Sequence, residues 1–558
     1  MIHTLVLAAL LCLPAVTCLA DGGSVTGGGD GTRDLRWGDL GDGTYANPVL
    51  NGDYSDPDVI RVGSKYYMTC SEFHFMGMPI LESDDMVNWR IIGQVFGSID
   101  MPGYSDMTKY GNGTWAPALR YHDGKYWIYV CTPNEGLFMT TADNPAGPWA
   151  PLHCVKSVSG WEDPCPLWDD DGQAYLGRSH LGGGPIIIHR MSADGRTLLD
   201  EGRTVYEGPV AEGTKMFKKD GYYYLSIPEG GVSTGWQTVL RSKSVYGPYD
   251  DKKIVLEQGS TDVNGPHQGA LVDTPDGQWW FYHFQSTEPL GRVVHLQPVT
   301  WKDGFPQIGA DYDHNGTGEP VKTFAKPDTR AGGRPQAPQA SDSFDGTAIG
   351  LQWQFNHNPR HELLSLTERK GWLAIKPAHA AKLREAVNQL TQKTMGYYGV
   401  ATVKIDFSRM DEGSRAGLEC IGGKFVGGGV AVTRREGRVV RSLYVETYGA
   451  VSLLGDVPDT AGGCIYIRLE IDAVGNTHRY SYSTDNINYT PMGATFSSSL
   501  GDWKGSRIGI YAYTTAGDGG TTYFDDFKYI YDGPGGLSST TRNKGGGTAV
   551  RARCRNAL

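Results

Sequence analysis

Asp56, Asp163 and Glu212 each stand seven or eight residues ahead of a tight-turn signal, namely Gly63-Ser64, Asp171-Gly172 and Asp220-Gly221. Counting back eight or nine residues from Asp123-Gly124 and Asp276-Gly277 reaches Trp115, with Ala116 beside it, and His267. Carboxylates clustered in one place repel each other and lose hydration, so packing alone explains them poorly. Three gathered carboxyls do have a chemical use. One acid protonates a leaving oxygen, one carboxylate activates water, and the third raises the pKa of the acid. This is the equipment for hydrolysing a glycosidic link, with aromatic rings to stack on sugar faces and an arginine to bind hydroxyls. No P-loop or HExxH occurs in the chain, so the motifs of nucleotide and zinc-peptidase chemistry are missing.

For these positions to meet, the elements that carry them must repeat around an axis. Aromatic, strand-like runs follow a turn five times, at residues 65–69 (KYYMT), 125–130 (KYWIYV), 173–176 (QAYL), 221–225 (GYYYL) and 278–284 (QWWFYHF). Four of the turns are Asp-Gly, a strong hairpin signal because type I′ turns need positive φ. Repeats 48–60 residues apart, each holding several strands, are the pattern of propeller blades, whose first strands line a central channel. A five-bladed β-propeller is therefore expected over residues 44–325. In that register Asp58 shares the strand face of Asp56 but lies deeper, in a structural hydrogen-bonding position. Glu229 follows a second strand and is off the ring, and Asp169–171 read as an exposed turn.

The chain of 558 residues has a formal net charge of −11, 39% hydrophobic and 20% charged residues, with Gly 77, Tyr 31 and Trp 14. Such a length holds two to four domains by a prior of about 150 residues each. The composition excludes a disordered polyelectrolyte, and the acidity argues against nucleic-acid or anionic-membrane partners. Residues 2–20 are an apolar run ending in small residues, which reads as a secretory signal over 1–20. Of nine cysteines, Cys12 and Cys18 fall in that segment. No CxxC spacing occurs, so zinc is not expected, and Cys70, Cys131, Cys154 and Cys165 are candidates for one or two disulfides.

Residues 326–343 (KPDTRAGGRPQAPQASDS) read as a linker. Beyond it strands alternate on one face, as in IYIRLEID with Ile465, Ile467, Leu469 and Ile471. A β-sandwich is expected over 344–533. It is expected to dock on the propeller through an apolar interface and close one side of the site. Residues 536–558 carry five Lys or Arg and no acid, and read as a disordered basic tail.

The segments NPVLNGDYSDPDVIRVGSKYYMT, WAPALRYHDGKYWIYV, WEDPCPLWDDDGQAYL, AEGTKMFKKDGYYYL and LGRVVHLQPVTWKDGFP resemble glycoside hydrolase family 43, in order across the first half. The second half resembles the concanavalin-like sandwich often appended to β-xylosidases and arabinofuranosidases of that family. The resemblance implies a five-bladed propeller and inversion at the anomeric carbon. It implies Asp56 as general base, Asp163 as pKa modulator and Glu212 as general acid. Arg292, Phe73 and Trp115 match substrate-binding positions, and His267 matches a channel histidine that helps hold a calcium ion through water. No cofactor is implied for the chemistry itself. Two departures from the family pattern stand out: Thr214-Lys215 follow Glu212-Gly213 where a Pro and an aromatic or His are common, and Ser55 replaces a Pro. The leading reading is a secreted, monomeric, exo-acting inverting hydrolase that removes α-L-arabinofuranosyl groups from arabinoxylan-type plant polysaccharide. The alternative is a β-D-xylosidase acting on xylo-oligosaccharides. A non-catalytic glycan-binding propeller stands behind both, because all three carboxylates are retained.

Overall fold

The computed structural model describes residues 38–533 apart from 334; the expected signal segment and basic tail lie outside the described residues. Five four-stranded antiparallel sheets follow one another in chain order. Their first strands are Asp58–Val62, Trp115–His122, Trp161–Trp168, Lys215–Lys219 and His267–Asp273. The expected turns join first to second strands: His122 pairs with Lys125 across Asp123-Gly124, and Lys219 with Tyr222 across Asp220-Gly221. Both residues of each of these turns have positive φ (49° and 74°, 50° and 72°), the type I′ geometry that matches strand twist.

The ring closes without a covalent link. Thr44–Ala46 pairs antiparallel with Thr323–Ala325, and Leu50 bridges to Val294 in blade five. The Tyr45 hydroxyl and the Asn47 amide both donate to the Leu296 carbonyl, at 2.7 and 2.8 Å. Residues 326–333 and 335–343 then run along the outside of blade one. The Lys326 ammonium holds Asp39 and Asp85 at 2.8 and 2.7 Å, and the Gln339 amide donates to the Ile91 carbonyl at 2.9 Å.

The second half is a sandwich of two sheets. One has the strand order Gln354–Phe355, Leu390–Lys393, Arg507–Thr514, Ser414–Ile421, Phe425–Arg435, Arg438–Thr447 and Ala450–Asp456. In the other, Cys464–Asp472 alternates buried and half-buried residues along its whole length, because Ile465, Ile467, Leu469 and Ile471 face the opposing sheet. The interior apolar cluster is continuous from blades one and five (Tyr54, Val59, Tyr282) through Met395 into the sandwich (Leu418, Ile467, Phe524).

The expected disulfides do not form: Cys70, Cys131, Cys154 and Cys165, like Cys420 and Cys464, are free thiols. Three of the four are committed to separate surroundings. Cys70 donates to Glu72 at 3.2 Å. Cys131 packs in the core between blades two and three. Cys165 accepts from Arg120 at 2.8 Å and from the Met216 amide at 3.1 Å. Cys154 is exposed on an outer strand.

Candidate active site

One backbone device builds the site five times. Where each chain segment enters the first strand of its blade, a single residue takes left-handed φ: Asp56 (52°), Ala116 (37°), Asp163 (54°), Gly213 (56°) and Gln268 (56°). In blades two, three and five this residue lies in a break of strand register, between Trp115 and Ala118, Glu162 and Cys165, and His267 and Gly269. Such bulges re-aim a side chain, here toward the channel mouth. Asp tolerates left-handed φ better than most residues. At Gly213 an added Cβ would lie 2.5 Å from the Pro228 ring.

The ring found by counting therefore resolves into two adjacent registers. Asp56 and Asp163 occupy the left-handed position. Glu212 stands one residue earlier, in step with Ser55, Trp115, Glu162 and His267. Glu162 was not singled out in the sequence, although WEDP and AEGT place a glutamate identically before the left-handed residue. Glu162, Asp163 and Glu212 bring carboxylate oxygens within 4.8 Å of one another.

Their partners differ. Asp56 is buried, ion-paired to the Arg292 guanidinium at 2.5 Å, and accepts the Ser71 hydroxyl at 2.5 Å. Asp163 accepts the Gly213 N–H at 2.6 Å and the Ser179 hydroxyl at 3.1 Å, so it grips the peptide that directly follows Glu212. Burial first, then the charge of Asp163, pushes the Glu212 carboxyl well above the ordinary carboxylate range, while Arg292 opposes. Burial also raises Asp163, against the Gly213 N–H. Glu162 is raised by burial and by both neighbouring carboxylates, and its Oε1 is buried without a hydrogen-bond partner. Glu229 is fully engaged elsewhere, accepting the Tyr206 hydroxyl at 2.8 Å and the Thr238 hydroxyl.

Below the carboxylates Asp58 accepts from Arg120 at 2.7 Å and lies 3.5 Å from Lys215. Lys215 also donates to the Pro117 carbonyl at 3.3 Å, so the unusual Thr214-Lys215 pair sends its charge down the channel. On the rim the Phe73 and Trp115 rings meet edge-on at 5.5 Å, and Trp115 meets Trp503 of the sandwich at 5.9 Å. Trp503 is 58% exposed and extends the aromatic wall; its contribution crosses the domain boundary and was not visible in the local sequence pattern. Arg292 lies over the Phe284 ring at 4.9 Å.

The profile of glycosyl hydrolases family 43 matches residues 45–306, and that of the beta-xylosidase C-terminal concanavalin A-like domain matches 341–530. A putative beta-xylosidase of Xylanibacter ruminicola is 54% identical over 475 residues, covering 85% of this chain and 87% of its own. The chain belongs to glycosyl hydrolase family 43. A beta-xylosidase of Formosa agariphila is 38% identical, covering 89% of this chain and 92% of its own. Among solved structures, the family 43 protein BlXynB of Bacillus licheniformis superposes with a TM-score of 0.75 at 27% identity, covering 87% of this chain and 99% of its own.

In this family 43 chain the docking of the sandwich differs from the expectation of an apolar interface. Apolar contacts exist, as where Phe75, Tyr110, Ile421 and Phe425 cluster, but the centre beside the active site is charged. Asp53 and Glu72 of blade one, both fully buried, face Lys393, Lys504 and Arg507 of the sandwich. Buried carboxylates need paired cations and hydrogen bonds to offset lost hydration, and the sandwich provides them.

Proposed function

We propose that this family 43 hydrolase is an exo-acting, inverting β-D-xylosidase that releases terminal xylose from xylan-derived oligosaccharides. The observation that carries the choice of sugar is the pair of relatives at 54% and 38% identity that are both named as beta-xylosidases. It favours the xylosyl reading over the arabinofuranosyl one. Glu212, protonated because burial and Asp163 raise its pKa, gives its proton to the glycosidic oxygen as the bond breaks. Asp56, oriented by Arg292 and Ser71, takes a proton from water as that water attacks the anomeric carbon from the opposite face. Asp163 orients Glu212 through the Gly213 N–H. Trp115 and Trp503 offer stacking surface, with the buried Phe73 ring packed edge-on against Trp115, and an aromatic wall closed by the sandwich suits a pocket for a chain end. Inverting pairs stand roughly 6.5–9.5 Å apart to leave room for water.

The resemblance also implies a calcium ion near His267. Calcium prefers oxygen ligands, and His267 fits it only through water. Its Nε2 is engaged with the Gly231 carbonyl at 3.1 Å, and its buried Nδ1 has no partner. Burial holds this imidazole neutral, its pKa pushed down to about 4, so Nδ1 keeps a lone pair for a water proton. Such an ion would add positive charge to the channel, and each step above uses side chains of the chain alone. The reading includes secretion and action as a monomer, which N-terminal sequencing of the exported protein and light scattering check.

Incubation of purified enzyme with xylobiose and with arabinoxylan, followed by chromatography of the monosaccharides, tests the substrate. Xylose from xylobiose supports the reading. Arabinose from arabinoxylan with xylobiose untouched contradicts it.

A further inference from the structure

The turn that carries Trp503 is strained and reaches further than the rim. Gly501 and Lys504 close it with two backbone hydrogen bonds of 2.9 Å, and both central residues are left-handed, Asp502 at 52° and Trp503 at 68°. A bulky side chain at positive φ is uncommon, and such strain persists only where the surroundings enforce it. What the turn delivers is the Lys504 ammonium, 2% exposed. This ammonium lies 2.9 Å from Asp53 Oδ2 and donates to the Ser71 carbonyl at 3.1 Å, while the next amide, Gly505 N–H, donates to the same Oδ2 at 3.0 Å.

Two of the partners of Lys504, Asp53 and Ser71, lie one bond network away from the proposed water-activating group. Asp53 turns its other oxygen to the Arg292 N–H at 2.9 Å and to the Ser55 hydroxyl at 2.9 Å, and the Arg292 guanidinium holds Asp56. Ser71 presents its hydroxyl to Asp56 while accepting the Ala116 N–H at 2.6 Å. One ammonium of the sandwich thus holds Ser71 directly and Arg292 by way of Asp53, and these two grip Asp56. The contact of Phe425 with Tyr110, centroids 5.9 Å apart, serves the same interface with no such connection.

We propose that Lys504 is a positioning residue for hydrolysis, through which the sandwich sets the placement of Asp56 and Arg292. The proposal rests on reading Asp56 as the base. A shift of about 1 Å in a reacting group costs on the order of 10²-fold in rate, whereas a contact that only holds two domains together affects stability and leaves turnover alone. Burial disfavours the charge on Lys504, but Asp53 and Glu72 outweigh it and raise its pKa, so the clamp is cationic throughout the working pH range.

The test uses full-length Lys504→Met, Lys504→Gln and Phe425→Ala. Each is assayed below its own melting temperature on two aryl β-D-xylopyranosides, one with a 2,4-dinitrophenyl leaving group that needs no proton and one with a poor 4-methoxyphenyl group. Both Lys504 variants are expected to lose about 10²-fold in kcat on both substrates, with KM changed by less than about threefold and the alkaline limb of the pH profile in place. Phe425→Ala is expected to lose thermal stability and keep kcat within about threefold. The proposal is overturned if a folded Lys504 variant keeps wild-type kcat, if its loss is confined to the poor leaving group, or if Phe425→Ala slows turnover as much. Failure of both Lys504 variants to fold cooperatively also overturns it, because that assigns the residue to docking alone. Glu212→Gln tests the underlying mechanism separately: it must be slowed selectively on the poor leaving group, and an equal loss on both substrates contradicts the acid assignment whatever Lys504 does.

Discussion

Asp163 acts on Glu212 in two ways, by charge and through the Gly213 N–H, and the two are separable. Asp163→Asn removes the charge, so the alkaline limb of kcat/KM should move to lower pH. It should stay above the ordinary carboxylate range, because burial, the larger cause, remains. An unmoved limb in that pH–rate profile would leave Asp163 with an orienting role only. Glu162 calls for a different measurement. Its pKa in the folded protein is raised, so its neutral form stabilises the fold at low pH, and that contribution is lost as pH rises through the raised value. Glu162→Gln is permanently neutral and should flatten the fall in melting temperature on the alkaline side; calorimetry across pH reads this, and an unchanged slope would mean that Glu162 titrates normally. The three aligned carboxylates were legible because their spacing to the turns is regular. Glu162 was not, since its significance comes from burial beside two other acids, which spacing does not report.

At the scale of elements, the blades were readable from Asp-Gly turns followed by aromatic runs, and the sandwich strands from the alternation of Ile465 to Ile471. The left-handed entry residue was not. It appears in sequence as Asp, Ala, Gly and Gln, so no residue type announces it, and it splits the apparent single ring into two registers. Gly213 is where this device is least tolerant. Gly213→Ala puts a Cβ at positive φ and against Pro228, a strain of about 1–3 kcal/mol. It should displace the Glu212 peptide from Asp163, lowering kcat on poor leaving groups with a smaller change in melting temperature than in activity. Kinetics indistinguishable from wild type would show that the entry bend does not set the acid.

For the whole molecule, the two halves share a core and a buried charge network beside the site. The apolar interface expected from sequence was only part of it, because Asp53, Glu72, Lys393, Lys504 and Arg507 read locally as ordinary surface charges and become partners only when the halves meet. Truncation after Lys326 keeps the linker anchor to Asp39 and Asp85 but leaves Asp53 and Glu72 without their cations. It also bares the apolar cluster that Tyr54 and Val59 share with the sandwich, so the isolated propeller should be insoluble, or inactive even on small aryl glycosides. A stable, fully active fragment would mean that the sandwich is a detachable module. The central claim is inversion by Asp56 and Glu212 across one channel, and proton NMR of the first turnovers tests it most directly. With an aryl β-D-xylopyranoside, the account predicts that α-xylose appears first and mutarotates afterwards; β-xylose as the first product would contradict it.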